Sequence, residues 1–461
     1  MDKKEIQHLY WRAGFGIGFE DLNKIKKKSR KTILKKLFSA SEKSKDLAVD
    51  LSEYEKSLTD SFKKVKNKTT DQRRKEQKYL REKGIELNQA WIQKMATSEA
   101  LLREKMTLFW ANVFVCADNN TWSIQNYNNT LRKHALGNFG QFVKAISHEA
   151  SMIRYLNNKQ NKKGKPNENF ARELMELFTL GAGNYTENDI KESARAFTGW
   201  NSKRNGEFIF SRKQHDFGNK TFFGKTGKFD GNDIIDIILE QKQCAKFICT
   251  KVYKYFVNPV IDEENLAEIT DLFYKDYDIK KLMFHIFNSD WFYDENNIGV
   301  KIKSPIELLV GIHKVVPFKF KNYKQQVYLQ KMMGQILLKP VNVAGWKGGK
   351  SWIDSNTLMF RLKLPSMLLN NAQISLIEKG DIEGTFEEFY QKRKGKGYLK
   401  VTVDWDHFEK NYSKSEEKDL KSTLLISKID VDTDAMLANL QIDKLKDYCI
   451  QLMSIPEYQL C

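Results

Sequence analysis

Acid/base side chains are most concentrated between residues 167 and 176. Glu168, Arg172 and Glu176 fall at i, i+4 and i+8, so on a helix they form one stripe, with Glu173 on its flank. A pair of carboxylates beside an arginine suits general acid/base catalysis, because the arginine keeps one carboxylate ionised while the pKa of its neighbour rises. The same residues could bind a divalent cation, or form a structural ladder of ion pairs on a helix.

A second polar group lies in the segment 215–221. His215 and Asp216 are followed by Gly218 and then Lys220, which could form an anion-binding loop or supply a base. The segment lacks the GxxxxGK[ST] spacing of a P-loop. The structural alternative is a turn capped by His215.

The two groups together predict an active site. Glu173 or Glu176 is the expected acid/base residue, and Arg172 and Lys220 are expected to stabilise negative charge on an anionic substrate. The candidates are four catalytic residues, Glu173, Glu176, His215 and Asp216, and seven binding residues, Glu168, Arg172, Lys220, Arg132, His134, Trp346 and Trp352.

Four of the binding candidates lie outside these two groups. Trp346 and Trp352 belong to a Gly/Trp-rich loop, 340–352, where their rings could stack on a sugar, the alternative being packing of the loop against helices. Arg132 and His134 are isolated polar residues in a helical segment, for which a structural role is the alternative to ligand binding.

No cofactor is expected, apart from weak binding of a divalent cation by the carboxylates. The five cysteines lack the spacing of a zinc site, which predicts buried free thiols and no bound zinc. The chain also lacks a Gly-x-Ser-x-Gly elbow, a His-Glu-x-x-His pair and a dinucleotide-binding fingerprint. These absences argue against serine hydrolases, zincins and Rossmann enzymes.

The chain is basic, with 77 Lys and Arg against 59 Asp and Glu and a net charge of +18. Much of the excess lies in two helix-like stretches, 24–36 and 63–83, with few aromatic side chains among the charges. Nucleic-acid platforms usually interleave aromatic residues with the charge. Solvated helix faces are therefore the favoured interpretation, a polyanion or membrane surface is the alternative, and specific nucleic-acid binding is not expected.

Membrane and export signals are not visible in the sequence. No apolar stretch approaches 18 residues, so the chain is predicted not to span a membrane. The first residues have no apolar core of a signal peptide, which makes the cytoplasm the default prediction.

Apolar residues recur every three or four positions along most of the chain, which predicts a mainly α protein. The exceptions are a small β-hairpin insertion at about 205–230 and a short strand near 399–405. The predicted regions are N-terminal helices at 1–41, a charged helical hairpin projecting at 42–84, a main helical body at 85–380, and a C-terminal segment at 381–461 with a short strand and a terminal helix.

The helix that carries Arg172 is expected to be covered on more than one side. The segments 138–156 and 190–200 on either side of it in sequence are apolar enough to pack against it. This pattern predicts that Arg172 lies in a buried cleft.

Short motifs spread over nearly the whole chain carry a family resemblance. They are HLYWRAGFG at 8–16, MTLFW at 106–110, RKHALGNF at 132–139, PNENFARELMEL at 166–177, YTE at 185–187, ARAFTGW at 194–200, HDFGNKT at 215–221, KSPIE at 303–307 and GWKGG at 345–349. In this order they resemble the domain of unknown function 1800 family, for which the resemblance implies no settled fold, reaction or ligand.

The resemblance implies a partner and shows one departure. Members often occur beside a sulfatase-like protein of the domain of unknown function 1501 family, so a sulfatase-like partner is implied, and its export signal could carry this chain to the periplasm. Many members read Trp-His-x-His-Phe where this chain has Ala111 and Asn112 between Trp110 and Phe114. Chemistry that depends on those histidines is therefore not available here.

The leading hypothesis is an acid/base or hydrolase-like enzyme that acts on an anionic glycan or envelope substrate, either sulfated or phosphorylated. One alternative is a non-catalytic binding or assembly partner of a sulfatase-like protein. A weaker alternative is a protein that binds polyanions or nucleic acid.

Overall fold

A computed structural model describes residues 1–58, 68–370, 399–440 and 444–461. Within these ranges the chain is mainly α-helical with three two-stranded antiparallel sheets, which confirms the predicted fold class. The chain separates into two compact units, named here by their place in the sequence. The central unit comprises 30–292 and 336–346, and the terminal unit comprises 1–29, 293–335 and the described residues from 347 onward.

The helices and strands follow one another with short connections. In chain order the helices are α1 (Lys3–Arg12), α2 (Phe19–Ile25), α3 (Arg30–Ala40), α4 (Ser52–Leu58), α5 (Thr70–Thr97), α6 (Leu101–Val113), α7 (Thr121–His134), α8 (Phe139–Ser147), α9 (Ala150–Tyr155), α10 (Asn169–Glu173), α11 (Glu187–Ala196), α12 (Gly231–Leu239), α13 (Lys242–Phe256), α14 (Glu263–Tyr274), α15 (Ile279–Asn288), α16 (Pro305–Val315), α17 (Tyr323–Met332), α18 (Ser355–Leu369), α19 (Trp405–Tyr412), α20 (Glu417–Leu424), α21 (Val431–Ala438) and α22 (Leu445–Met453). The strands are β1 (Trp200–Ser202), β2 (Phe208–Phe210), β3 (Lys220–Phe222), β4 (Lys225–Gly227), β5 (Phe318–Phe320) and β6 (Val401–Val403).

Aromatic side chains form the core of the central unit. The fully buried Trp110 on α6 packs against Phe114 and Phe142, with ring centroids 5.7 and 5.3 Å apart. Its indole N–H donates to the Ala135 carbonyl at 3.1 Å, as a buried tryptophan requires. Phe114 also contacts Phe178, at 5.6 Å between centroids. This aromatic core therefore supports the segment that follows α10, where the candidate carboxylates lie.

The charged segment 42–84 packs against the body of the central unit. Leu51, Tyr54 and Leu80 form a buried cluster, and the Tyr54 hydroxyl accepts from Asn120 Nδ2 at 2.6 Å, just before α7 begins. The predicted hairpin tip at 59–67 lies outside the described residues. The described parts of the segment are thus held by apolar contacts and do not project from the body.

The β-like insertion consists of two hairpins in the central unit. Strand β1 pairs with β2, with Trp200 opposite Phe210, and β3 pairs with β4. The first hairpin begins at Trp200, a few residues before the predicted insertion. A third pair, β5 with β6, lies in the terminal unit and includes the predicted strand near 401.

The remaining sequence expectations concern thiols and membrane spans. All five cysteines are buried free thiols, as predicted. Burial raises the pKa of Cys244 to about 12, so this thiol stays protonated. No helix within the described ranges is both long enough and apolar enough to cross a membrane.

Candidate functional site

The helix predicted at 167–180 begins as α10 and continues as a π-helix over Leu174–Thr179. Before it, Asn161 Oδ1 accepts from the backbone N–H of Asn167 at 2.9 Å and positions the start of the helix. Within the π-helix, the Thr179 hydroxyl donates to the Leu174 carbonyl at 2.6 Å. π-Helical turns are rare and frequently occur at functional sites, and this one lies next to Glu173 and contains Glu176.

Glu173 and Glu176 form a carboxylate pair where α10 passes into the π-helix. Burial raises the pKa of Glu173, and the neighbouring charge of Glu176 raises it further. The Tyr185 hydroxyl donates to Glu176 Oε2 at 2.9 Å. Burial and this carboxylate raise the pKa of Tyr185 to about 12. The cluster therefore joins one carboxyl that retains its proton more readily than usual to one carboxylate that accepts from a phenol.

Arg172 lies at the surface, so the prediction of a buried cleft around it is wrong. Its side chain is 36% exposed. It donates to Glu168 Oε2 at 3.3 Å and to the two oxygens of Glu187 at 3.1 Å each. Because Glu187 begins α11 with its side chain 69% exposed, it draws the arginine toward solvent. The ion pairs of Arg172 therefore involve Glu168 and Glu187.

The His215 segment is held by a network of internal hydrogen bonds. His215 is buried, with Nδ1 2.9 Å from the Thr198 carbonyl oxygen, and burial lowers its pKa. Asp216 accepts from Arg195 Nε at 2.8 Å, and this hydrogen bond lowers the pKa of Asp216. Lys220 is also buried, and its ammonium donates to the carbonyls of Asp216 and Gly218 at 2.6 and 3.2 Å.

This network accounts for the chemistry of the His215 segment. Burial lowers the pKa of Lys220, and its donors turn toward the backbone of its own loop. Arg195 donates to Glu192 at 2.9 Å as well as to Asp216. These contacts brace the turn before β3, as the structural interpretation of His215 requires.

A lysine-rich turn, residues 158–165, contacts both candidate segments and is called the lysine turn. The backbone N–H of Lys163 donates to the Gln214 carbonyl at 2.7 Å, one residue before His215. The same turn provides Asn161, which positions the start of α10 through Asn167. Its four exposed lysines have no ion pair with another described residue; they are Lys159, Lys162, Lys163 and Lys165.

Arg132 and His134 belong to the packed interior of the central unit. Arg132 is fully buried and forms a two-point ion pair with Glu104, at 2.8 and 3.1 Å. Its remaining donor contacts Asn129 Oδ1 at 2.8 Å. His134 stacks on Phe142 with centroids 5.7 Å apart, and burial lowers its pKa. Arg132 is thus completely paired within the fold.

The two candidate tryptophans are both buried, and they belong to different units. Trp346 is 4% exposed and Trp352 is 7% exposed, so neither ring offers an open face to a sugar in this arrangement. Asn112 fixes the first of them, because its Oδ1 accepts from the Trp346 N–H at 2.7 Å and its Nδ2 donates to the Trp346 carbonyl at 3.2 Å. The glycine at 345 is required here, since a Cβ would lie 2.3 Å from Asn112 Oδ1.

No group of three or more His, Cys, Asp or Glu side chains within the described residues is arranged to hold a metal ion. The Glu173–Glu176 pair is therefore characterised by its proton chemistry.

A family model described as "Protein of unknown function (DUF1800)" matches residues 8–460. The chain belongs to the DUF1800 family. Neither the curated proteins nor the solved structures contain a match to the chain.

The DUF1800 motifs mark several site residues that residue chemistry alone did not single out. Tyr185 and Glu187 lie in the motif 185–187, and Arg195 lies in the motif 194–200. Membership of these motifs was the available signal for all three. Glu104 carried no such signal, because its partner Arg132 lies 28 residues along the chain.

Proposed function

We propose that this DUF1800 protein is a hydrolase-like enzyme in which the Glu173–Glu176 pair performs acid/base chemistry. The observation that carries the proposal is the raised pKa of the half-buried Glu173 beside a second carboxylate. A carboxyl that keeps its proton nearer to neutral pH is a better general acid than an ordinary one. The π-helix that contains Glu176 supports a functional role for the pair.

The two carboxyls take complementary roles in this proposal. Protonated Glu173 donates its proton to the oxygen of the leaving group as the bond to that oxygen breaks. Ionised Glu176, held by the Tyr185 hydroxyl, accepts a proton from the attacking water. Both protons are accounted for, and Glu173 and Glu176 regain their starting states by exchanging a proton with solvent.

The proposed substrate is an anionic glycan or envelope component, sulfated or phosphorylated. The lysine turn supplies four exposed cations beside the start of α10, and a cluster of one charge sign raises the local concentration of the opposite charge. Arg172 and Lys220, the cations expected from the sequence, are occupied by Glu187 and by backbone carbonyls. The lysine turn therefore takes their place as the anion-binding element.

Turnover of matched oligosaccharides tests this proposal. Sulfated, phosphorylated and neutral oligosaccharides are incubated with the protein, and the products are identified by mass spectrometry. Wild type is expected to cleave an anionic member, and Glu173→Gln is expected to lower the rate about 100- to 10,000-fold. Glu187→Gln is the matched control, since Glu187 is a neighbouring glutamate on the exposed side of Arg172. Equal rates for the two variants would contradict the role of Glu173.

A non-catalytic partner of a sulfatase-like protein is the second candidate. The observation in its favour is the His215 network, in which Asp216 and Lys220 are bound to groups of the chain itself. Co-purification of the full chain with a sulfatase-like protein, followed by measurement of the mass of the complex, tests it. A stable complex formed equally by wild type and Glu173→Gln, with no turnover of any oligosaccharide, would favour assembly over catalysis.

A further inference from the structure

The terminal unit buries two arginines that lie far apart in sequence. Arg12, the last residue of α1, is 1% exposed, and Arg361 on α18 is 0% exposed. Burial lowers the pKa of Arg12, and it lowers that of Arg361 to about 10. Both interact electrostatically with the same two residues, Glu307 and Cys461, so the two guanidinium groups surround one region of the interior.

Each guanidinium is only partly bonded, and only to neutral oxygens. Arg12 Nη2 donates to the Asn297 carbonyl at 3.0 Å, whereas its Nε and Nη1 have no partner among the described residues. Arg361 donates through Nε to Gln459 Oε1 at 3.0 Å and through Nη2 to the Lys303 carbonyl at 2.6 Å, which leaves Nη1 unpartnered. The Gln459 amide nitrogen is a further buried donor without a partner in the described chain.

The nearby carboxylate is engaged elsewhere. Glu307 accepts from the Lys301 ammonium at 2.7 Å and from the Ser304 N–H at 2.7 Å, where it closes the capping box of α16. It acts on Arg12 and Arg361 through space, without a hydrogen bond to either. The unpartnered atoms of this region are thus mainly donors, and they belong to two cations.

A buried charge without a counter-charge or full hydrogen bonding is strongly destabilising. Ordered water would satisfy the N–H groups but would leave the charge of two guanidiniums uncompensated. An oxyanion satisfies both needs, because guanidinium groups bind phosphate, sulfate and carboxylate through paired, charge-assisted hydrogen bonds. The geometry points to an internal site for a small oxyanion in the terminal unit, bound by Arg12, Arg361 and the Gln459 amide.

This inference does not depend on the proposed enzyme activity, and it is tested by the anion content and the unfolding temperature of the full chain. Protein purified in a buffer free of phosphate and sulfate is denatured, and the released anions are measured by ion chromatography. Because the site is buried, we expect about one equivalent of oxyanion per chain, or, in protein that has lost the anion, a rise in Tm of about 2–4 °C with inorganic phosphate.

Sulfate, acetate and chloride at equal ionic strength form the other arms of the test. Sulfate acting like phosphate identifies a tetrahedral oxyanion, and acetate acting alone identifies a carboxylate. A rise in Tm that chloride reproduces would overturn the proposal. So would the absence of both released anion and any rise in Tm in the wild-type protein, a result that requires no variant to fold.

Single substitutions locate the site. Arg12→Gln and Arg361→Gln are expected to abolish both the retained anion and the rise in Tm. The matched control is Arg103→Gln, since Arg103 is also buried but its three guanidinium nitrogens all donate to backbone carbonyls. This control is expected to keep the anion response at a lower Tm. An unchanged response in the Arg12 and Arg361 variants would overturn the assignment.

Discussion

Two glutamate clusters in the central unit use the same residue types in opposite ways. Glu104 and Arg132 are 1% and 0% exposed and form a two-point ion pair that Asn129 completes. Glu173 and Glu176 are partly exposed, lie near each other, and have the Tyr185 hydroxyl as their hydrogen-bonding side-chain partner among the described residues. The first cluster is matched in charge, whereas the second brings two like charges together.

The difference shows what distinguishes a structural pair from a candidate reactive one. A buried arginine and glutamate that satisfy each other have no capacity left for a substrate, and separating them is costly. Two adjacent carboxyls cannot both ionise freely, so one of them keeps its proton more readily. The chemistry of a carboxylate here follows from how completely it is paired, and not from its residue type.

The largest expected effect concerns the structural cluster. Arg132→Ala leaves Glu104 buried without its counter-charge, and the free energy of unfolding should fall by about 3–5 kcal/mol. Denaturant unfolding followed by circular dichroism measures this change. A loss as small as that of an exposed pair would mean that the two clusters do not differ in the way described.

A smaller effect is expected at the exposed ion pairs of α10. Arg172→Ala removes contacts with Glu168 and Glu187, and the free energy of unfolding should fall by roughly 0–1 kcal/mol because the side chains are in contact with solvent. The same denaturant experiment applies, with Arg132→Ala as the reference. A loss comparable to that of Arg132→Ala would restore the buried cleft that the sequence suggested.

The smallest effect is a change in the pH dependence of stability. The pKa of Glu173 is raised in the folded state, so the folded protein binds this proton more tightly than the unfolded chain does. Wild-type stability therefore falls as pH rises above the unfolded value of about 4.3 and through the folded pKa. Glu173→Gln should remove this fall, leaving the variant relatively more stable at pH 7 than at pH 4 by less than about 1 kcal/mol.

The comparison with Glu187→Gln sharpens this pH experiment. The hydrogen bond to Arg172 lowers the pKa of Glu187, so its contribution to stability is present at neutral pH and is lost as the pH falls through the folded value. The two variants should therefore change stability in opposite directions as the pH is lowered. Changes in the same direction would contradict the assigned environments.

Periodicity in the sequence predicted the helices well, because their apolar stripes are also their buried faces. The β-insertion was located for the same reason, through its short aromatic runs and glycines. The sequence did not predict the π-helix at Leu174–Thr179, since its hydrogen bonds depend on the surrounding packing. It also could not predict that Arg172 turns to Glu187, a residue on another helix.

The functional candidates divide along the same physical line. Spacing along one helix predicted the proximity of Glu173 and Glu176, and their electrostatic coupling is a local property. The pairing of Arg132 with Glu104 and the contact of Asn112 with Trp346 join distant parts of the chain. Such contacts leave no regular spacing in the sequence, so a structure is required to find them.

The most direct test of the central claim is the pKa of Glu173, measured by NMR titration of side-chain carboxyl carbons and assigned with Glu173→Gln. The account predicts a pKa above the usual value of about 4.3. It also predicts that Glu176→Gln lowers this pKa, because the substitution removes the neighbouring negative charge. A Glu173 pKa at or below the usual value, unchanged by Glu176→Gln, would contradict the claim that these two carboxyls form an acid/base pair.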